Sequence, residues 1–200
     1  AASVKALEDI ASWKPYVDAN TDGNAFQNGR VALSLSGHWN YPAYSKAVGS
    51  NLVALPLPNF GKGEKVGAGS WTWGMSSATK NGKAAGAFMD YLLNDTSVKA
   101  ITDANGAPAA TKSVFDKQAD YQPGGALALW GQQLEQSCPA TAITDSCIAV
   151  YRPVTPGYPV ITSKFASALS AVWGGADAKE QLTTAAQSID QAFSDSNDYK

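Results

Sequence analysis

The residues of this chain best suited to a chemical task are aromatic. Six tryptophans and eight tyrosines occur in 200 residues, and several stand beside glycine or proline in segments predicted as strand ends or loops: Trp39, Tyr41, Tyr44, Trp71, Tyr151 and Tyr158. An aromatic face offers a large apolar area at little cost in side-chain entropy, and the C–H face of a sugar ring can stack on it. Ring hydroxyls then need directional polar partners, which Arg152 can supply as a planar fork of donors. His38, the chain's single imidazole, adjoins Trp39 and joins Tyr41 in the candidate set, although a loop histidine is more often simply hydrogen-bonded in place. Trp13, Trp130 and Trp173 fall at helical spacing and are expected in the core.

Other chemistries find little support. A nucleophilic hydrolase needs a serine or cysteine paired with a base, but no GxSxG occurs and His38 is the only imidazole. Gly61, Gly63, Gly67 and Gly69 match neither GxGxxG nor GxxxxGK[ST]. Glycoside hydrolysis could use two of the 17 carboxylates, yet most lie on polar helix faces or in tails such as SDSND, and no pair stands out. One histidine and two cysteines cannot build a multi-histidine or four-sulfur zinc site, and no cofactor is expected. Fifteen basic against 17 acidic residues give a net charge of -2 without a like-charge run, which argues against nucleic acid or an anionic lipid surface as partner.

Cys138 and Cys147 bracket CPATAITDSC, a loop of small and turn-forming residues. A local disulfide is the natural reading, with two unrelated free thiols as the alternative. By loop entropy, closing about ten residues stabilises by roughly 2.7 kcal/mol, and such a bond persists in an oxidising, extracytoplasmic compartment. Asn94-Asp95-Thr96 is formally a glycosylation sequon, but a three-residue match is readily accidental. No apolar stretch approaches the roughly 20 residues of a membrane-spanning helix. AASVKALEDI lacks a signal peptide's basic and apolar regions, so the chain is expected to be soluble.

The elements that must position these residues follow from periodicity. Val4, Leu7, Ile10 and Trp13 predict a first helix, with Ser3 as cap and Pro15 as stop. A short helical turn through Gly29 leads to the alternation Val31, Leu33, Leu35, a strand delivering Gly37-His38-Trp39 at its end. NLVALPLP reads as a second buried strand broken by prolines, FGKGEKVGAG as a loop, and Ser70 to Ser76 as a strand with Trp71, Trp73 and Met75 on one face. Ala84, Phe88, Tyr91 and Leu92 predict a helix, followed by one through Val98 and Ile101 closed at Asn105-Gly106. Residues 124 to 137 form another around Leu127, Trp130 and Leu134. Ile161, Phe165, Leu169 and Val172 predict the penultimate helix. Asp177 with Glu180 resembles a capping arrangement for a last helix through Leu182, Ala185, Ile189 and Phe193.

The order of short motifs is specific where each alone is weak. Phe26-x-x-Gly29-Arg30-Val31-Ala32, Gly37-His38-Trp39, Leu55-Pro56-Leu57-Pro58, Gly69-Ser70-Trp71, the Lys83-to-Leu93 helix, Asn105-Gly106-Ala107-Pro108, Arg152-Pro153 and Pro156-Gly157-Tyr158 together resemble the extracellular solute-binding proteins of carbohydrate ABC transporters, the maltose-binding-protein-like superfamily. The similarity extends over nearly the whole chain but matches only the second half of such proteins. It implies an α/β fold: a periplasmic-binding-protein-like C-terminal lobe, helix-rich at its C-terminus, with a crossover segment belonging to the other lobe. Residues 1 to 65 and 117 to 200 would form the C-terminal lobe, and 66 to 116 would pack on a mostly missing N-terminal lobe. The chain would then be a truncated fragment, and a leader or lipoprotein anchor would lie in the missing half.

Carried over residue by residue, Trp39 resembles the family's stacking aromatic in a Gly-x-Trp setting, and Trp71 the aromatic that follows the glycine pair of the crossover segment. Here that pair reads Gly67-Ala68-Gly69, a departure that changes the loop. Arg152 and Tyr158 resemble an arginine and tyrosine at the cleft before the penultimate helix. With His38 and Tyr41 they form the expected ligand-binding set. The resemblance implies carbohydrate binding without catalysis, delivery to ABC permease subunits by lobe closure, no nucleic acid partner, and membrane attachment only through an anchor absent from this chain. Alternatives are a carbohydrate-active enzyme and a cell-surface interaction module without a small ligand.

Overall fold

The computed structural model describes residues 2–18, 22–61 and 63–199, and the chain divides into two compact units, 1–21 with 152–200 and 22–151. The first unit is helical. It contains α1 (Ala2–Ser12), α7 (Tyr158–Trp173) and α8 (Ala178–Asp195), whose apolar stripes meet at buried Leu7, Val172 and Ala178, with Val4, Ala11, Leu169 and Leu182 packed against them. The start of α8 is capped as the sequence predicts: the Asp177 carboxylate accepts from the Glu180 N–H at 2.7 Å, satisfying a donor the helix itself leaves unpaired. At the end of α7 the Lys14 ammonium donates to the Trp173 carbonyl at 2.9 Å, placing a cation at the negative end of the helix dipole.

The second unit holds α2 (Tyr41–Val48), β1 (Val66–Ala68), α3 (Gly82–Leu92), α4 (Asp95–Asn105), α5 (Lys112–Phe115), α6 (Ala128–Glu135) and β2 (Ala149–Tyr151). The two strands pair in parallel, Val66 with Ala149, Gly67 with Val150 and Ala68 with Tyr151, so four helices lie in the connection between them. Cys138 and Cys147 are joined by a disulfide with their Cα atoms 4.9 Å apart, and both are buried. Gly106 closes α4 in the left-handed region at φ 66°, a conformation glycine adopts without a Cβ penalty. Asn94 is the N-cap of α4: its side chain accepts from the Ser97 N–H at 3.0 Å and donates to the Tyr91 carbonyl. The sequon asparagine is therefore committed to a structural task.

The expected strands fare differently. The turn before Gly29 is present, with the Arg30 N–H bonded to the Ala25 carbonyl at 2.9 Å. The segments 31–36, 52–58 and 70–76, however, are not in strands. Leu33 and Leu35 are 83% and 81% exposed. An alternating pattern signals a face to be covered, but a strand also needs a neighbour to take its backbone hydrogen bonds, and no ladder forms for these segments among the described residues. Pairing falls instead at Val66–Ala68, inside the stretch read as a glycine-rich loop. Trp13 is likewise corrected: at 49% exposure it follows the last turn of α1 and leaves the core to Leu7. Trp130 and Trp173 are half-buried.

Candidate functional site

Gly37 is extended, with φ -125° and ψ -177°, and leads into a 3-10 turn over His38–Asn40. The turn closes through the Asn40 N–H to the Gly37 carbonyl at 3.1 Å, and Pro42 then occupies the first turn of α2, where its missing N–H costs nothing. Side chains brace the turn from below. Asn40 Nδ2 donates to Ser36 Oγ at 2.8 Å, and the buried Tyr44 shares a hydrogen bond between its hydroxyl and Ser34 Oγ at 2.9 Å. The Tyr44 ring also packs on Phe26 at 4.5 Å between centroids. Upstream, Arg30 and Asp22 form an ion pair at 2.9 Å. The Arg30 hydrogen bond, helped by the Asn24 N–H, holds the Asp22 carboxyl below its ordinary range.

On this base the aromatic residues gather in layers. Trp39 is outermost, 65% exposed. The His38 imidazole meets its indole edge-on at 5.3 Å and 79°, and the buried Tyr121 ring at 6.3 Å. Tyr121 is fixed from the other side by Phe115 at 5.8 Å and by its hydroxyl, which donates to the Gly106 carbonyl at 2.7 Å. Tyr41 meets Trp130 of α6 edge-on at 5.9 Å. Burial pushes the Tyr121 hydroxyl well above its usual range, assisted by the charge of Asp120, so it remains a donor. Burial also lowers His38 below 6.5, leaving at neutral pH an imidazole with one donor and one acceptor nitrogen.

The fold thus sets His38 and Trp39 against Tyr121 and Phe115, while Tyr41, two residues on, pairs with Trp130. Tyr121, Phe115 and Trp130 were missed. Tyr121 had a readable signal in Tyr121-Gln122-Pro123-Gly124, the same aromatic-beside-proline setting that marks Tyr41. Trp130 was assigned to the core by its helical spacing. A shallow concavity at the end of α8, lined by Ile189, Asp190, Phe193, Ser194, Asn197 and Asp198, contains none of the candidate residues. The aromatic face is the better candidate because its side chains are held by named contacts while one indole stays open to solvent. Among the described residues no group of three or more histidine, cysteine, aspartate or glutamate side chains could hold a metal ion.

Residues 1–128 match the family of bacterial extracellular solute-binding proteins. The chain belongs to that family. No curated protein matches it. The matched stretch of this solute-binding protein contains His38, Trp39, Tyr41 and Trp71, while Arg152 and Tyr158 lie beyond it. Trp71 is 97% exposed on an extended segment, and Ser70 Oγ donates to its carbonyl at 3.2 Å. Arg152 and Tyr158 belong to the first compact unit. Arg152 is exposed, and half-buried Tyr158 opens α7. The family is extracellular, in keeping with the disulfide, and no helix among the described residues is long and apolar enough to cross a membrane.

Proposed function

We propose that this solute-binding protein captures a sugar or oligosaccharide outside the cytoplasm and delivers it to an ABC importer, two lobes closing over the ligand without covalent chemistry. The observation that carries this reading is the Trp39 indole, exposed at the surface of an otherwise anchored aromatic face. Trp39 stacks on a sugar ring, while the neutral His38 and the Tyr41 hydroxyl exchange hydrogen bonds with the ring hydroxyls. Trp71 supplies a second aromatic surface for the ligand; Arg152 and Tyr158, in the other compact unit, are candidates through the family resemblance alone.

In this reading residues 1 to 65 and 117 to 200 form the C-terminal lobe, and 66 to 116 pack on the other lobe. Trp71, Trp73, Met75, Phe88 and Tyr91 within that segment are exposed and are the groups this reading would cover with the other lobe. Mass spectrometry of the retained ligand, followed by calorimetry with the sugar it identifies, tests the proposal. Trp39→Ala should weaken binding by more than about 1 kcal/mol through lost stacking. Unchanged affinity removes Trp39 from the site, and cleavage of the glycan moves the protein to the enzyme alternative.

A further inference from the structure

Gly37 is a glycine without a conformational reason to be one. Its φ of -125° and ψ of -177° are extended values open to any residue. The reason lies in space. A methyl group on Gly37 would sit 2.3 Å from Trp39 Cζ3, 2.5 Å from Cη2 and 2.8 Å from Cε3, far inside van der Waals contact. The six-membered ring of the indole therefore lies folded back against Gly37 Cα, two residues upstream. His38 meets the same indole edge-on at 5.3 Å, and the turn beneath is fixed by the Asn40 side chain on Ser36. Trp39 remains 65% exposed.

From this packing we infer that Gly37 is a positioning residue: it provides the seat that fixes the Trp39 indole and presents the ring's free surface to solvent. This rests on the reading of Trp39 as the stacking residue. An exposed tryptophan on a bare turn would sample several rotamers and lose that freedom when a ligand settles on it. A seated one has already lost it, so more of the stacking gain appears as affinity.

Two readouts test this in the intact chain. The first needs no ligand: the α-proton resonances of Gly37 should be displaced by the indole ring current, and the displacement should vanish in Trp39→Ala. Its absence in the unsubstituted protein overturns the inference. The second uses maltotriose as probe. Gly37→Ala should reduce affinity about as far as Trp39→Ala, roughly tenfold, an amount equivalent to about 1.4 kcal/mol. The double variant should bind no more weakly than Trp39→Ala alone, because both changes remove one interaction, and the melting temperature of Gly37→Ala should not move, since the displaced side chain is an exposed one. Gly37→Ala binding like the unsubstituted protein, while Trp39→Ala is impaired, overturns the inference. If neither substitution alters maltotriose binding, or the unsubstituted protein does not bind it, the ring-current displacement decides alone: its presence upholds the seat and its absence overturns it, while the carbohydrate reading is decided by the retained ligand. If Gly37→Ala fails to fold, the ring-current displacement in the unsubstituted protein decides, and its absence overturns the inference.

Discussion

His38 is the chain's single histidine, and its environment makes a measurable difference at the scale of one residue. Trp39 and Tyr121 enclose it with rings, and that burial disfavours the charged imidazolium. In the unfolded chain the imidazole titrates near about 6.5. As the pH falls through that value the unfolded state takes up a proton before the folded state does, so stability declines from about pH 6.5 downward and levels off below the folded pKa; well above 6.5 His38 contributes no slope. The imidazole resonance should titrate with a midpoint below 6.5, and His38→Gln should flatten the stability profile just below about pH 6.5. A midpoint at or above 6.5 would show the ring to be solvated rather than packed. That His38, Trp39 and Tyr41 lie near one another was legible because they are neighbours in the chain. The contact of Tyr121 with His38 was not, since what brings the two together is the hydrogen bond to Gly106 and the packing of Phe115, neither of which has a local signature.

At the scale of the elements, the long helices were legible while the short α2 and α5 and the strands were not, for a physical reason. A helix closes its hydrogen bonds within four residues and announces its ends in the same window, as Asp177 and Asn94 do for α8 and α4. A strand depends on a neighbour far away in sequence: β1 finds β2 more than 80 residues later, and the alternation of Val31, Leu33 and Leu35 says nothing about whether a neighbour exists. The disulfide acts beside this small sheet. It ties the end of α6 to β2, beside the bond from the Cys138 N–H to the Ala149 carbonyl at 2.8 Å, and its loop receives the Lys65 ammonium on the Asp145 carbonyl at 3.3 Å. Reduction should lower the stability of this unit by roughly 2.7 kcal/mol if loop entropy governs. Urea unfolding with and without reductant measures it, and coincident curves would show that the loop is held by its hydrogen bonds alone.

For the whole molecule, charge is the most general clue to the kind of solute. The chain carries 15 basic and 17 acidic residues, and the i, i+4 ion pairs Lys5–Asp9, Lys99–Asp103 and Lys112–Asp116 lie on exposed helix faces, where such pairs contribute little to stability and set no strong field. Of the six candidate ligand contacts only Arg152 is a cationic side chain; Trp39 and Trp71 offer indoles, Tyr41 and Tyr158 offer hydroxyls, and burial favours the neutral form of His38. Stacking on a neutral sugar, with hydrogen bonds from uncharged groups, is insensitive to ionic strength, whereas capture of an anionic solute by Arg152 is screened over a Debye length that falls from about 10 Å at 0.1 M salt to about 3 Å at 1 M. Calorimetric affinity for the physiological solute should therefore change less than about twofold across that range. A steep loss with salt, abolished in Arg152→Gln, would assign the protein to a charged solute and would leave the aromatic face as an apolar wall rather than the principal recognition surface.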